Sequence, residues 1–327
     1  MASIPGPHTG ILREENLVLR HIFGYSDQQI HTGPLPRIEL QPLPGSSIKD
    51  ILIVSVDVDT GGGYEVISPD QSFHVGISIF DTRCLTSSDS TDPQTAITSY
   101  QFVNRDTKPC KQATRRFLLG ATEKHTPTAM AARISTLTHG REYILVAHGT
   151  NEDLKFLNNI DAAIAARACY VLDTVKVAQY PLQLYYRYSL EKLLDALSIP
   201  YDPFRLHSAG NDAFFALKAL LMMAARDMLS AEPHASEPGH QRKIGARSST
   251  ATALEAIARF PYPLPADKPQ EALGPEKVPK LSIGAKRRLR AERKAIRRED
   301  RTVESLDGLE QDSSHGPEGT TSNDNVG

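Results

Sequence analysis

The chain has 327 residues, of which 40% are hydrophobic, and a formal net charge of −2. This composition supports a packed core, but the hydrophobic fraction is low enough to indicate that part of the chain lies outside it. Three widely spaced cysteines argue against a disulfide framework or a cysteine-based zinc site. The most apolar long segment, AFFALKALLMMAARDML, carries Lys218 and Arg226, which favours a core helix over a membrane span. MASIPGPHTG lacks the pattern of a secretory signal, so we expect a protein of the cytoplasm, the nucleus or both, without a membrane partner.

The predicted elements begin after a Pro- and Gly-rich arm in which NLVLRHIFGY indicates one short helix. Three strands follow in direct succession, in ILIVSVDV, SFHVGISIF and ITSYQFV. Beyond them helices and strands alternate: a helix in TPTAMAARISTLTHG, a strand in YILVAHG, a helix in TNEDLKFLNNI, a strand in YVLDTV, and helices in SLEKLLDALSI and SAGNDAFFALKALLMMAARDM. This order predicts an α/β fold with a mixed five-stranded sheet flanked by helices, in which a meander precedes crossover units.

Changes of composition along the chain predict its domain organisation. We place a flexible, disordered N-terminal arm at 1–47 and one folded domain at 48–229. A linker at 230–273 follows, in which SSTATALEAIARF indicates a short helix. Next come a basic segment at 274–301 and an acidic tail at 302–327, which is poor in large apolar residues and therefore expected to be disordered.

The basic segment contains eleven Lys and Arg residues against four acidic residues between positions 276 and 301. Three interpretations stay open: a solvated charged helix, a nuclear import signal, or a surface that contacts the phosphates of nucleic acid. The segment lacks interleaved aromatic residues, so base stacking is not indicated there. The candidates for phosphate contact are Lys286, Arg287, Arg288 and Arg290.

Two carboxylates stand close together at the end of the first strand, in VSVDVDTGGGY. Side chains alternate along a strand, so Asp57 and Asp59 point to the same face. Two like charges at this separation repel each other and resist desolvation. A bound cation is one way to compensate them. The alternative is a strand end that meets solvent, since Thr60 and three glycines follow at once.

Three further polar residues lie at the starts of predicted helices. Asp153 begins the helix that follows YILVAHG, and His207 and Asp212 lie at the entrance to the last long helix. In open α/β sheets, binding sites collect at such positions. Converging carboxylates could hold two hard divalent ions, and a nearby histidine could accept the proton of an attacking water. Asp153 could instead favour its helix dipole alone, and His207 could be an ordinary surface histidine.

Taken together, these motifs resemble the exonuclease branch of the ribonuclease H-like superfamily, the group named DEDDh for four acidic residues and a histidine. Its first motif, Asp-x-Glu, is matched by DVD at 57–59, and its second, a strand ending in His followed by Asp and an apolar helix, by VAHGTNEDLKFL with Asp153. Its third motif is matched by His207 and Asp212. The resemblance covers about residues 51–229. The chain is also similar to a fungal family with a C-terminal domain like that of the Good for Full Dead-box-protein activity protein.

This resemblance implies a ribonuclease H-like fold and a metal-dependent 3′–5′ exonuclease that hydrolyses the phosphodiesters of nucleic acid, with RNA favoured. It points to an RNA helicase as a further partner. It also implies two Mg²⁺ or Mn²⁺ ions, with His207 as the residue that activates water. The ions would be held by four carboxylates, those of Asp57, Asp59, Asp153 and Asp212.

The resemblance further implies that Thr60 and Gly61 line the path of the terminal nucleotide. Asp59 departs from the family pattern, which has Glu at this position. Aspartate is one methylene shorter, and metal ligation demands close geometry. A second interpretation therefore stays open: a catalytically weak or inactive nucleic-acid-binding module of the same fold, acting in RNA export or helicase regulation.

Overall fold

A computed structural model of the protein describes residues 9–25, 40–86, 92–230 and 240–262. Within these residues the chain forms one mixed sheet of six strands in the order β4-β3-β2-β1-β5-β6. The strands are β1 (Leu52–Thr60), β2 (Phe73–Asp81), β3 (Ile97–Val103), β4 (Thr122–Lys124), β5 (Tyr143–Ala147) and β6 (Tyr170–Asp173). The predicted meander of three strands followed by crossover units is confirmed. The sixth strand, β4, adds three residues to an edge of the predicted five-stranded sheet.

β1 occupies the middle of the sheet and extends further than its neighbour β5. It pairs antiparallel with β2 along its whole length, from Leu52 to Thr60. Its parallel pairing with β5 covers only Leu52 to Ser55. The last five residues of β1 therefore lie beyond this pairing, and from Asp57 onward they extend past the carboxyl end of β5, where one side of the strand has no ladder partner. This is the crevice in which α/β sheets place their sites.

Eight helices are seen in the described part of the chain, and they cover both faces of the sheet. They are α1 (Glu14–Ile22), α2 (Lys108–Arg116), α3 (Pro127–Leu137), α4 (Asn151–Ala166), α5 (Thr174–Val177), α6 (Leu190–Leu197), α7 (Ala209–Ser230) and α8 (His240–Arg259). One apolar core joins β1 and β5 to α1, α5, α6, α7 and α8, and a second joins the sheet to α3 and α4. Side-chain caps begin α3 and α6, where Thr126 and Ser189 accept hydrogen bonds from backbone N–H groups.

The N-terminus of α7 touches the sheet backbone to backbone. A methyl group on Gly76 of β2 would collide with the Ala209 carbonyl at the start of α7, and one on Gly210 would lie 2.6 Å from the Phe117 ring. Gln101 of β3, in register with Gly76, binds the turn at the start of α7. Its Oε1 accepts hydrogen bonds from Ser208 Oγ at 2.6 Å and from the Gly210 N–H at 3.2 Å. The free N–H groups of a helix start are thus satisfied by the sheet.

Part of the predicted N-terminal arm is folded onto the core. Residues 1–47 include α1, whose Val18 and Ile22 are fully buried. Arg20 forms a bidentate ion pair with the buried Asp227 of α7 at 2.7 and 2.8 Å. Amphipathic spacing and this pair hold the helix in place, whereas the composition around it had indicated only a loose arm. Residues 1–8 and 26–39 of the predicted arm lie outside the described residues.

The helix predicted within the linker is longer than expected and packs on α7. Four residues of α8 are buried against the core: Ala251, Leu254, Ile257 and Ala258. The buried Lys218 of α7 donates from Nζ to the Phe260 carbonyl at 2.6 Å, just past the end of α8. The predicted basic segment at 274–301 and the acidic tail at 302–327 lie outside the described residues. Within the described ranges, no helix combines the length and apolarity needed to cross a membrane.

Gly76→Ala tests the contact between α7 and β2. The added methyl group must push the start of α7 off the sheet, so we expect the free energy of unfolding to fall by about 1–3 kcal/mol. Gly245→Ala is the matched control, because Gly245 is exposed within α8 and its added methyl would meet no atom within 4 Å. The control should be neutral or stabilising by up to about 1 kcal/mol. Urea unfolding measures both, and equal stability of the two variants would contradict the assignment.

Candidate active site

Asp57 and Asp59 lie on the part of β1 that extends beyond β5. Asp57 stands opposite Gly76 in the β1–β2 register, and Asp59 stands opposite His74. Because position 76 has no side chain, the start of α7 comes down directly beside Asp57. The side chain of Asp59 is 49% exposed, which places it at the mouth of the crevice rather than at its base.

Asp153 reaches the same crevice from α4. Its Oδ1 accepts a hydrogen bond from the Val58 backbone N–H at 3.0 Å, on the side of β1 that β5 leaves unpaired. Asp153 is only 7% exposed. The carboxylate therefore replaces a missing sheet partner, and this bond fixes it between the two acids of β1.

The turn that aims α4 at the crevice is held by two polar residues. His148 bonds through Nδ1 to Thr174 Oγ1 at 2.8 Å and through Nε2 to the Tyr188 carbonyl at 3.1 Å. Burial lowers the pKa of His148 to about 4. Asp173 accepts from the Gly149 N–H at 3.0 Å, and Gly149 has a φ of +88° in the left-handed region. These bonds make the histidine of the second motif a positioning residue for α4.

Asp212 enters the crevice from the first turn of α7. Its two carboxylate oxygens accept from the His207 backbone N–H at 3.0 and 3.2 Å. This bond accompanies a φ of +63° at His207, a conformation that few non-glycine residues adopt. The His207 side chain is exposed. The loop thus keeps its imidazole at the rim of the crevice while its backbone holds Asp212.

The four acids form one electrostatic unit. Asp57, Asp59, Asp153 and Asp212 each interact with the other three. Burial, together with the charges of the other three, raises the pKa of Asp57 well above its usual value. Burial is also the main cause that raises the pKa of Asp153 to about 7 and that of Asp212 to about 8. In the described part of the chain, no lysine or arginine lies at ion-pair distance from Asp57, Asp153 or Asp212.

Asp59 differs from the other three acids because a buried histidine compensates it. His74 Nδ1 accepts from the Ala209 N–H at 3.3 Å, which leaves the proton on Nε2, and Nε2 faces Asp59 Oδ2 at 3.3 Å. Burial opposes the charge of Asp59, but the hydrogen bond from His74, with His207 and Arg116 nearby, brings its pKa below the usual value. His74 therefore links Asp59 to the start of α7.

The donor set of the crevice fits divalent metal ions. Four carboxylates offer hard oxygen ligands, and most of their charge is uncompensated, as Mg²⁺ or Mn²⁺ requires. Among the described residues, however, no three acidic, histidine or cysteine side chains stand together in a geometry ready to hold an ion. Asp153 and Asp212 instead direct oxygens to backbone N–H groups.

The two residues predicted to line the nucleotide path lie at the end of β1, with Thr60 as its last residue and Gly61 as the first residue of the loop that follows. Thr60 Oγ1 accepts from Gln71 Nε2 at 2.7 Å and from the Gly62 N–H at 3.2 Å, so this hydroxyl already shapes the loop. Gly61 is exposed, and its N–H donates to the Ser72 carbonyl at 3.3 Å. The predicted tail contacts lie outside the described residues: Lys286, Arg287, Arg288 and Arg290.

Sequence reasoning missed two residues beside the acids. His74 could have been found by aligning β1 and β2 as a hairpin, because that register places it opposite Asp59. Tyr64 has no such signal. Its hydroxyl donates to the Val58 carbonyl at 3.3 Å, and its ring meets Phe156 edge-on at 6.1 Å. Burial and the nearby carboxylates raise the pKa of Tyr64.

Comparison with known families assigns the chain. The family described as DNA polymerase III subunit epsilon-like, C-terminal domain (DEDDh_C) matches residues 53–223, more than half of the chain. The protein belongs to this family. The DEDDh_C match spans all four acids and His207, and the mixed sheet flanked by helices agrees with the predicted ribonuclease H-like fold. Membership of DEDDh_C supports a nuclease-like function in general and, as is usual in this family, the use of divalent metal ions. A search of curated proteins found no match.

The acid cluster predicts how stability depends on pH. The pKa values of Asp153 and Asp212 are raised from about 3.8 to about 7 and 8. The stability that these two carboxyl groups contribute to the fold is therefore fully present below pH 4 and is lost as pH rises through 7 to 8. In EDTA we expect Asp57→Asn to raise the free energy of unfolding at pH 8 relative to the unsubstituted protein, by at least about 1 kcal/mol. The gain should shrink towards pH 4. Urea unfolding at both pH values measures it, and a gain that does not depend on pH would contradict the coupling.

The contact of His74 with Asp59 predicts a change in metal affinity. His74→Ala removes the group that orients Asp59, so we expect Mn²⁺ to bind roughly 10- to 100-fold more weakly by titration calorimetry. His139→Ala is the matched control, because His139 is exposed at the end of α3, on the opposite face of the sheet from α7. A His74→Ala variant that keeps both its fold and its Mn²⁺ affinity would show that Asp59 does not depend on this histidine.

Proposed function

We propose that the protein is a metal-dependent 3′–5′ exonuclease that hydrolyses phosphodiester bonds of nucleic acid, with RNA as the favoured substrate. One observation carries the proposal: in a DEDDh_C chain, four carboxylates from β1, α4 and α7 gather in one crevice with most of their charge uncompensated. Clustered buried acids destabilise a fold, and a cation-dependent reaction is a physical reason for keeping them together.

The proposed mechanism assigns a role to each group in the crevice. Two bound Mg²⁺ or Mn²⁺ ions would supply the positive charge that makes water more acidic and stabilises the leaving oxygen. The residues that would hold them are Asp57, Asp59, Asp153 and Asp212. His207 accepts the proton of the attacking water at a ring nitrogen, and its exposed position at the rim leaves it accessible to that water. His74 keeps Asp59 oriented. The bond from the Val58 N–H to Asp153 ties the start of α4 to β1, and the bonds from the His207 N–H to Asp212 hold the loop before α7 against the first turn of that helix.

The preference for RNA, the RNA helicase partner and the location in cytoplasm, nucleus or both rest on the sequence resemblance to the fungal Good for Full Dead-box-protein activity-like family. The position of Thr60 at the end of β1, next to Asp59, supports a contact with the terminal nucleotide, with Gly61 exposed beside it. We extend the proposal to these points as its finer part. Parallel assays on RNA and DNA of the same sequence separate this part from the reaction itself.

A second candidate is a nucleic-acid-binding module of the same fold with little or no catalysis. Two observations favour it. Asp59 stands where the family pattern has Glu and is engaged by His74 at 3.3 Å. Among the described side chains, no group of three is arranged to hold an ion. In this proposal the crevice binds the end of a strand without cleaving it, in RNA export or helicase regulation.

An exonuclease assay separates the two candidates. With Mg²⁺ or Mn²⁺, we expect 5′-labelled single-stranded RNA to shorten from its 3′ end. Asp57→Asn should abolish the reaction, and His207→Ala should slow it roughly 100- to 10,000-fold, because a general base is lost. His139→Ala again serves as the control.

If the unsubstituted protein is inactive, the Asp59→Glu variant distinguishes the exonuclease from the binding module. It restores the longer side chain of the family pattern at a half-exposed position. Activity gained only in this variant would support the binding module with a degraded metal site. Failure of both proteins to shorten RNA or DNA, despite Mn²⁺ binding, would reject the exonuclease.

A further inference from the structure

α2 presents a row of positive charges on its outer face. The helix KPCKQATRR contains four basic residues and no acidic one. Lys108, Lys111 and Arg115 are exposed and, at spacings of three and four, share one face. Cys110 and Ala113 on the opposite face are buried against the sheet and the start of α7. The basic face is therefore turned to solvent.

These charges are not neutralised by the protein around them. Within the described ranges, no carboxylate lies at ion-pair distance from Lys108, Lys111 or Arg115. Asp106, two residues before α2, is engaged by Lys124, and Lys111 acts on it only at longer range. An exposed row of unpaired cations on a helix about 13 Å long matches the charge of a phosphate backbone.

The row ends at the acidic crevice. Arg116, in the last turn of α2, acts electrostatically on both Asp59 and Asp212. Asn211, next to Asp212, donates from Nδ2 to the Arg116 carbonyl at 2.9 Å. The end of α2 and the start of α7 are thus tied together, and the positive row leads to the carboxylates.

An exposed aromatic ring lies beside this row. Phe204 is 78% exposed, and its turn is ordered by Asp202, whose Oδ1 accepts from the Phe204 N–H at 2.9 Å. The next residue, Arg205, donates from Nη1 to the Arg115 carbonyl at 2.9 Å. The turn therefore carries Phe204 beside the end of α2, three residues before His207. A ring held in water in this way offers a face for stacking an unpaired base.

We propose that the outer face of α2 and Phe204 form the surface that binds single-stranded nucleic acid and guides it to the crevice. Lys108, Lys111 and Arg115 contact phosphates, and Phe204 stacks a base. Single strands are favoured over duplex because stacking on Phe204 requires an unpaired base. The substrate class rests on the proposed function, but the surface is independent of hydrolysis. It lies within the residues that the structure describes, whereas the predicted contacts Lys286, Arg287, Arg288 and Arg290 lie outside them.

Binding is measured with the full chain carrying Asp57→Asn, in EDTA, by fluorescence anisotropy of labelled 12-nucleotide oligo-U and oligo-dT. The triple variant Lys108→Gln, Lys111→Gln, Arg115→Gln should weaken binding at least about tenfold at low salt and reduce the salt slope by about 2. Phe204→Ala should weaken binding at least about fivefold with the salt slope unchanged. Arg167→Gln is the matched control, because Arg167 is exposed just past the far end of α4, beyond the kink at Asp161 and away from Asp153 at its start.

The same variants are made in a chain whose Lys286, Arg287, Arg288 and Arg290 are changed to Gln, so that binding by the tail cannot hide the effect. Unchanged affinity of the triple variant and of Phe204→Ala in both backgrounds would overturn the proposal, as would tighter binding of duplex than of single strands. Loss of binding in these variants, in a protein without exonuclease activity, would uphold the surface and reject only the hydrolytic function.

Discussion

The close contact between the start of α7 and strand β2 is the constraint on which the site depends. It exists because position 76 is glycine, so that the Ala209 carbonyl can occupy the space of a side chain. Gln101 and His74, which belong to the sheet, then accept hydrogen bonds from N–H groups of the first turn of α7. Without this approach, Asp212 would stand a side chain's width farther from the acids of β1. One missing side chain in the middle of the sheet thus sets the geometry of residues distant in sequence.

This arrangement keeps like charges together, which lowers the stability of the fold, and favourable packing in the rest of the domain must offset the loss. α7 is buried along nearly all of its 22 residues, and its apolar contacts run to the sheet and to α1, α6 and α8. Burial of that size stabilises a fold by many kilocalories per mole. The repulsion in the crevice can therefore persist without unfolding the domain. Asp59 is the exception among the four acids, because its charge is met by His74 at 3.3 Å. The carboxylate at the rim of the crevice thus has a partner for its negative charge, whereas the carboxylates in the interior have none of this kind among the described residues.

Much of the fold could be predicted from hydrophobic pattern and capping. The first three strands, α3, α6 and α7 combine strong periodicity with clear boundary residues such as Thr126 and Ser189. β4 was missed because three residues are too short to show alternation. α2 was missed because its sequence, KPCKQATRR, contains no large apolar residue, and its helix is held mainly by two small buried residues, Cys110 and Ala113. α1 packs through an ion pair with Asp227, about 200 positions away, which no local pattern reveals.

The acids of the site could be located by their order and by the elements that carry them. Most of their neighbours could not. His74 becomes visible only when β1 and β2 are placed in register, and Arg116 only when the end of α2 is known to meet Asn211. Tyr64 belongs to a loop whose path is set by Gln71 and Asn159, through bonds to the Gly63 and Tyr64 carbonyls. Such contacts depend on tertiary geometry, which spacing along the chain does not encode.

The bidentate pair of Arg20 with Asp227 has a consequence for the smallest piece of this protein that can fold. The family match begins at residue 53, well after α1. Cutting the chain there would remove both partners of the Asp227 carboxylate, which is 2% exposed: the Arg20 guanidinium and the Tyr25 hydroxyl that donates to it at 2.8 Å. Leaving a buried charge alone costs about 3–5 kcal/mol, a large part of the stability of a typical domain. The autonomous unit is therefore wider than the segment that matches the family, and expression fragments should retain residues 14–25.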